Sequence, residues 1–221
     1  MFIAFEGIDA CGKETQARML KESLEKEGYK VTAISFPNYQ SKSADFVKHY
    51  LNGDFGMDAK AVNPYLAGLC YSMDRAITMP QYQKIAKSKK EILISDRYIG
   101  SNAIFQGAKF EFPARSDYFD WLQDLEENKL GLPKPDITFY LKVPTEICLK
   151  RKEHRALKSE TSTDIHEANV KFLESANNCA KDAAYYFDWE TINTVEGIKE
   201  LSKEEVHEII LDQVIRFLAC L

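Results

Sequence analysis

Nine residues near the N-terminus, Gly7-Ile8-Asp9-Ala10-Cys11-Gly12-Lys13-Glu14-Thr15, constrain this chain more than any other segment. They follow a short apolar run, Phe2-Ile3-Ala4-Phe5, which reads as a buried strand. They precede a stretch from Thr15 to Lys26 with Ala17, Leu20 and Leu24 on one helical face. Strand, Gly-x-x-x-x-Gly-Lys loop, helix is the setting in which this spacing makes a phosphate cradle. Gly7 and Gly12 let the backbone fold back so that several N–H groups face one concavity, and the helix adds its positive end. Lys13 is long enough to reach the β- and γ-phosphates of a nucleotide.

The position after Lys13 departs from the usual pattern. A Ser or Thr hydroxyl commonly holds Mg²⁺ there; this chain has Glu14, with Thr15 one place later. Two readings stay open. Glu14 ligates Mg²⁺ through a carboxylate oxygen, as hard cations favour. Alternatively it points to solvent and water completes the metal shell, because a carboxylate beside the phosphates would repel them.

Short apolar runs then alternate with long amphipathic ones. Strands are predicted at Lys30 to Phe36, Glu91 to Asp96, Asp136 to Val143 and Trp189 to Asn193. Helices are predicted at Asn63 to Met79, Gln81 to Lys89, Ile99 to Gln106, Ser116 to Asn128, Thr145 to Lys152 and Asp164 to Tyr185. Ser202, with Glu205 three residues on, opens a last helix that is expected to bury Val206, Ile209, Ile210, Val214, Phe217 and Leu218. This alternation predicts an α/β protein in three layers, α/β/α, with a five-stranded parallel sheet and ligands at the carboxyl ends of the strands. Residues 1–221 read as a single domain, since 221 residues fill one sizeable core and hardly two.

A net charge of −5 is a poor basis for coating nucleic acid, so an anionic ligand must meet local positive charge. Two places supply it. Asp96-Arg97-Tyr98 ends the third strand: Asp96 is placed to organise Mg²⁺, and Arg97 emerges near the phosphates with a fork suited to them. The second is Lys150, Arg151, Lys152, Arg155 and Lys158, five cations in nine residues. This run is either a solvated helix face or a mobile lid, at about 150–165, that closes over the transferring group. Five cysteines, odd in number and without C-x-x-C spacing, imply free thiols in a reducing compartment, hence a cytoplasmic protein. Neither an apolar signal segment nor a membrane-spanning run is recognisable. No Ser-His-Asp or Cys-His constellation stands out, and phosphoryl transfer to an already ionised phosphate needs none.

The chain resembles the thymidylate kinases among P-loop nucleoside-monophosphate kinases. The residues that carry this are Phe5-Glu6-Gly7-Ile8-Asp9 with Gly12-Lys13, Phe36-Pro37-Asn38-Tyr39, Tyr71-Ser72-Met73-Asp74-Arg75, Asp96-Arg97-Tyr98, Ser101-Asn102, Phe105-Gln106-Gly107, Leu132-Pro133-Lys134-Pro135-Asp136 and Asp164-Ile165-His166-Glu167. The resemblance implies a P-loop kinase fold that transfers the γ-phosphoryl of ATP to dTMP with Mg²⁺, as a homodimer. It implies that Asp9 holds the 3′-hydroxyl and that Phe36 and Tyr39 line the monophosphate site. Tyr71 would stack on thymine, Arg75 would hydrogen-bond its edge, and Ser101 and Asn102 would face the base. Phe105 would lie against the sugar, and Arg97 would hold the acceptor phosphate. Arg151 and Arg155 would serve the lid, since Ala10 and Cys11 put no cation in the loop. Arg75 has a plainer reading as a surface ion-pair residue, and Tyr71 and Phe105 as core. A kinase of another acceptor, dUMP or a nucleoside, and a weakly active nucleotide-binding regulator are the rival functions.

Overall fold

Strand β1, Phe2–Glu6, is buried along its whole length because it is the middle of a sheet covered on both faces. The computed structural model describes residues 1–58, 60–156 and 170–220. Four strands join β1: β2 (Lys30–Ser35), β3 (Glu91–Asp96), β4 (Ile137–Lys142) and β5 (Glu190–Asn193). Their order is β2-β3-β1-β4-β5, and every neighbouring pair is parallel. Phe5 sits opposite Asp96 on one side and Phe139 on the other, and Ser35 opposite Asp96. The chain therefore leaves β1, β2 and β3 at one edge, and Gly7, Phe36 and Arg97 emerge together there. This is the α/β/α fold expected, with five parallel strands.

The helices are α1 (Lys13–Lys26), α2 (Asp45–Leu51), α3 (Pro64–Thr78), α4 (Gln83–Ala86), α5 (Ile99–Gly107), α6 (Ala114–Gln123), α7 (Thr145–Ala156), α8 (Val170–Tyr186) and α9 (Lys203–Ala219). On one face α1 packs against α9, and on the other α5 packs against α8 and α3. Local chemistry sets their ends. The Asn63 side chain accepts from the N–H groups of Tyr65 and Leu66 while Pro64 opens α3. Gly28, at φ +89°, turns the chain off α1, with its N–H and that of Tyr29 bonded back to Glu25 and Leu24. Ser202 and Glu205 form the reciprocal capping box at the start of α9.

Three expectations change, and one element is added. The helix placed at Gln81 to Lys89 shrinks to α4, because Pro80 cannot continue α3 and a 3₁₀ turn, Met79–Gln81, intervenes. The helix placed at Ser116 to Asn128 is α6 followed by a π-helical turn, Asp124–Lys129, which carries Glu126 into the interior. Ile209 is exposed, because the buried line of α9 runs Val206, Ile210, Val214 at four-residue spacing. A short hairpin, β6 (Val195–Glu196) and β7 (Lys199–Glu200), turns at Gly197, whose φ of +61° suits glycine. Lys158, Asp164, His166 and the side chain of Arg155 lie outside the described residues, so α8 is described only from Val170.

Candidate active site

The loop after β1 is shaped by backbone that turns the unusual way. Gly7 has φ +143°, and a Cβ there would meet Cys11 Sγ at 2.8 Å and the Leu141 carbonyl at 3.1 Å. Ala10 (φ +61°) and Gly12 (φ +104°) add two left-handed residues before α1 begins. Lys13 is 5 % exposed. Its Nζ donates to the Ile8 carbonyl at 2.8 Å and lies 3.4 Å from Cys11 Sγ. Arg151, on α7, lies over the loop. Its Nη1 donates to the carbonyls of Ala10 (3.3 Å) and Cys11 (3.1 Å), and its Nη2 pairs with Glu200 of β7 at 2.6 Å. One basic side chain thus joins the loop, α7 and the hairpin.

A cavity of about 1170 Å³ opens above this loop. Asp9, Ala10, Cys11, Gly12, Lys13, Glu14 and Thr15 form one wall, Asp96, Arg97 and Arg151 a second, and the stretch from Lys199 to Lys203 a third. Gly7 and Ile8 stand behind the wall, and Glu14 is exposed upon it. The Asp96 Oδ1 atom is buried and has no hydrogen-bond partner among the described residues. An orphaned carboxylate oxygen beside a phosphate loop fits a hard cation such as Mg²⁺. Among the described residues no three His, Cys, Asp or Glu side chains cluster as a metal site, so such an ion would take its other oxygens from phosphate and water.

A second, narrow cavity of about 70 Å³ lies deeper. Asp9, Phe36, Tyr39, Tyr71, Arg75, Arg97, Ser101, Asn102 and Phe105, which the sequence scatters over nearly a hundred positions, all line it, together with Pro37, Leu51 and Tyr98. Asp9 and Arg97 belong to the walls of both cavities. They form an ion pair at that border. Arg97 Nη1 also donates to Ser101 Oγ at 3.2 Å, and its guanidinium lies 5.6 Å over the ring of Phe105. Burial would lower the Arg97 pKa, but the carboxylates of Asp9, Asp96 and Glu6 outweigh it and hold the group charged.

Arg75 is not the surface residue its plainer reading allowed. It is 2 % exposed and lies fork to fork on Glu126, with Nε donating to Oε2 at 2.7 Å and Nη2 to Oε1. Glu126 also accepts from Ser72 Oγ at 2.7 Å and from Asn102 Nδ2 at 3.3 Å. The sequence shows no sign of this, because Glu126-Glu127 in an acidic stretch looks like a solvated face. Glu6 is the second residue missed, and there a signal existed: a charge at the end of an otherwise apolar buried strand. It is wholly buried, and burial raises its pKa against the opposing pull of Ser101, Arg97, the Tyr98 N–H and Lys13.

A glycine-shaped phosphate loop, a lysine at its helix start and an arginine-bordered second cavity on a parallel sheet define a P-loop nucleotide kinase, a phosphotransferase. The family profile described as thymidylate kinase matches residues 5–210. The chain belongs to the thymidylate kinase family, and is an ATP-dependent nucleoside-monophosphate kinase. It is similar to the thymidylate kinase of Mycobacterium tuberculosis, at 34% identity over 157 residues, 71% of this chain and 72% of that one. It is similar along nearly its whole length to the probable thymidylate kinase of Thermococcus kodakarensis, at 32% identity over 213 residues, 96% of this chain and 95% of that one. The thymidylate kinase of Caldanaerobacter subterraneus subsp. tengcongensis is 28% identical over 218 residues, 98% of this chain and 96% of that one.

Proposed function

We propose that the upper cavity takes the triphosphate of ATP and the inner cavity takes dTMP, with the γ-phosphoryl passing across the border formed by Asp9 and Arg97. The carrying observation is that these two residues line both cavities. The acceptor's phosphate oxygen is ionised near neutral pH, so it attacks without a general base, and catalysis is positioning and charge neutralisation. Lys13, at the floor of the loop, meets the β- and γ-phosphates. Arg151, already over the loop carbonyls, supplies the positive charge that Ala10 and Cys11 lack. Arg97 holds the acceptor phosphate, with Phe36 and Tyr39 beside it. Tyr71 stacks on the base, Arg75, Asn102 and Ser101 meet its polar edge, and Phe105 and Asp9 flank the sugar. Asp96 would hold Mg²⁺, which supplies charge to the phosphate oxygens, while the exposed Glu14 leaves its place in the metal shell to water. Arg155 and the rest of the lid would complete the closure.

A second copy of the chain is the proposed partner. Leu66, Leu69, Met73 and Ile77 form an exposed apolar stripe along α3, and the opposite face of that helix carries Arg75 and Asp74 beside the inner cavity. Sedimentation should give twice the monomer mass, and Leu69→Glu with Met73→Glu should halve it. The compartment proposed is cytoplasmic: all five cysteines are free, four of them buried, and no helix among the described residues is long and apolar enough to cross a membrane.

The deciding experiment is coupled ADP release with dTMP, dUMP, AMP and thymidine as acceptors. The expected order is dTMP first, dUMP behind it by the roughly 1–3 kcal/mol that one methyl group contributes, and AMP and thymidine far behind. Equal kcat/KM for AMP and dTMP would overturn the acceptor assignment, and no turnover at all would favour a regulator.

A further inference from the structure

Arg97, with Asp9, lines both of the cavities just described, and it does so in a backbone conformation that a side-chain-bearing residue adopts reluctantly, with φ at +65°. Something must hold it there. Its own N–H donates to the Phe5 carbonyl at 3.0 Å, and its carbonyl accepts from Ser95 Oγ at 2.5 Å. The next peptide is held by Glu6: the Tyr98 N–H donates to Glu6 Oε1 at 2.7 Å. The other carboxylate oxygen, Oε2, accepts from Ser101 Oγ at 2.6 Å, and Ser101 Oγ in turn accepts from Arg97 Nη1 at 3.2 Å. One buried carboxylate therefore grips Arg97 at both ends, its backbone through Tyr98 and its guanidinium through Ser101.

We infer that Glu6 is a positioning residue for the phosphoryl acceptor: it sets the direction in which Arg97 presents its guanidinium to the acceptor phosphate. The inference rests on the reading of Arg97 as the acceptor-phosphate ligand. The chemistry asks for a carboxylate and not merely for a polar group of that size. Only an acceptor on both oxygens takes the Tyr98 N–H and the Ser101 hydroxyl proton together, leaving a Ser101 lone pair for Arg97. An amide would put a donor against one of them, and the Ser101 proton or the Tyr98 N–H would lose its partner. Gly100 lets the carboxylate approach so closely: a Cβ at Gly100 would lie 2.8 Å from Glu6 Cδ and 2.6 Å from the Trp189 ring.

The test is steady-state kinetics of the full-length chain carrying Glu6→Gln, with dTMP and ATP varied separately. The expected result is a dTMP KM raised roughly ten- to a hundredfold, by analogy with the loss of a residue that orients a metal ligand. The ATP KM should stay within about twofold and kcat should change less than the dTMP KM, because binding common to ground and transition states is what is lost. Combining Glu6→Gln with Ser101→Ala should cost no more than the larger single change, since both break one chain of hydrogen bonds. A purely structural Glu6 would lower melting temperature and active fraction while leaving the dTMP KM as it was, and that result overturns the assignment. If Glu6→Gln does not fold, Ser101→Ala and Ser101→Thr decide. A raised dTMP KM in the first that is restored by the hydroxyl of the second, with the inhibition constant of thymidine, which lacks the phosphate, unmoved in both, supports the relay; equal KM values in both, or a thymidine constant that moves with the dTMP KM, overturn it. The unaltered chain separates the two levels: failure to phosphorylate dTMP sinks the functional reading, while turnover with an unmoved KM in the variants sinks only the role of Glu6.

Discussion

Arg75 and Glu126 form a buried ion pair in which neither partner reaches solvent, their side chains being 2 % and 0 % exposed. Burial opposes the charge on Arg75, and the charge and hydrogen bonds of Glu126 more than compensate, so its pKa is raised.

Removing one member of such a pair leaves the other uncompensated. Glu126→Gln is expected to destabilise the fold by about 3–5 kcal/mol. Thermal denaturation should show a loss on the order of 10 °C. The double change Arg75→Met with Glu126→Leu should cost less than Glu126→Gln alone, since no buried charge remains. A Glu126→Gln protein with unchanged melting temperature would mean that water or another group reaches Arg75.

The contrast between these two residues marks what a sequence can and cannot disclose. Gly7, Gly12 and Lys13 announce a phosphate loop because their spacing is fixed by local backbone geometry. Asp96 and Arg97 are legible because they end an apolar strand. The nine residues of the inner cavity were recoverable only as a set matched to a family, since they come from the loop after β1, the turn after β2, α3, the turn after β3 and α5. Glu126 was out of reach: a π-helical turn, which shifts the phase of a helix by one residue, turns it inward. The hairpin at Val195 to Glu200 was missed for a related reason. Two strands of two residues each carry too little alternation to register as a pattern.

Arg151→Ala should lower kcat by roughly 10²–10³, the usual consequence of losing a preorganised donor at a developing charge. Stability should change by less than about 1 kcal/mol, because the bridge to Glu200 is partly exposed and screened. Glu200→Gln removes the bridge but leaves the guanidinium, and should lower kcat much less. Equal kcat values for Arg151→Ala and the unaltered chain would assign the catalytic cation elsewhere.

For the metal, Glu14 is exposed on the wall of the upper cavity while Asp96 offers a buried oxygen without a hydrogen-bond partner among the described residues. Glu14→Ser is therefore expected to keep activity and to reach half-maximal rate at lower Mg²⁺. Asp96→Asn should raise the Mg²⁺ requirement. Titrating rate against Mg²⁺ for the three proteins checks both statements, and a higher requirement in Glu14→Ser would make that carboxylate a ligand.

Lys109 provides a pH signature. Its Nζ donates to Tyr50 Oη at 3.1 Å and to the Val62 carbonyl at 3.0 Å, and burial lowers its pKa from 10.5 to about 8, against a smaller opposing pull from Asp58. Between those two values the folded protein holds fewer protons than the unfolded chain, so this group's contribution to stability rises as pH climbs through the window. Buried thiols work the other way: burial pushes Cys148 and Cys179 up to about 12. The clean observable is the difference between the unaltered protein and Lys109→Gln in urea denaturation. It should grow in favour of the unaltered protein from about pH 8 to 10.5. A difference independent of pH would place the ammonium in water.

Of the five strands of this sheet, the one translated first sits in the middle, and its neighbours are synthesised roughly ninety and a hundred and thirty residues later. The loop that follows it waits longer still. Its roof comes from Arg151 and Glu200, and α1 is clasped to α9 by Gln16 donating to the Lys203 carbonyl at 2.9 Å and by Ser23 on His207 at 2.8 Å. A nascent chain paused after β4 already displays every residue from Gly7 to Thr15, yet lacks the wall that makes them a vessel. Nucleotide capture therefore waits on synthesis: the ribosome must run on from Gly7 past Lys203 before the loop can be used.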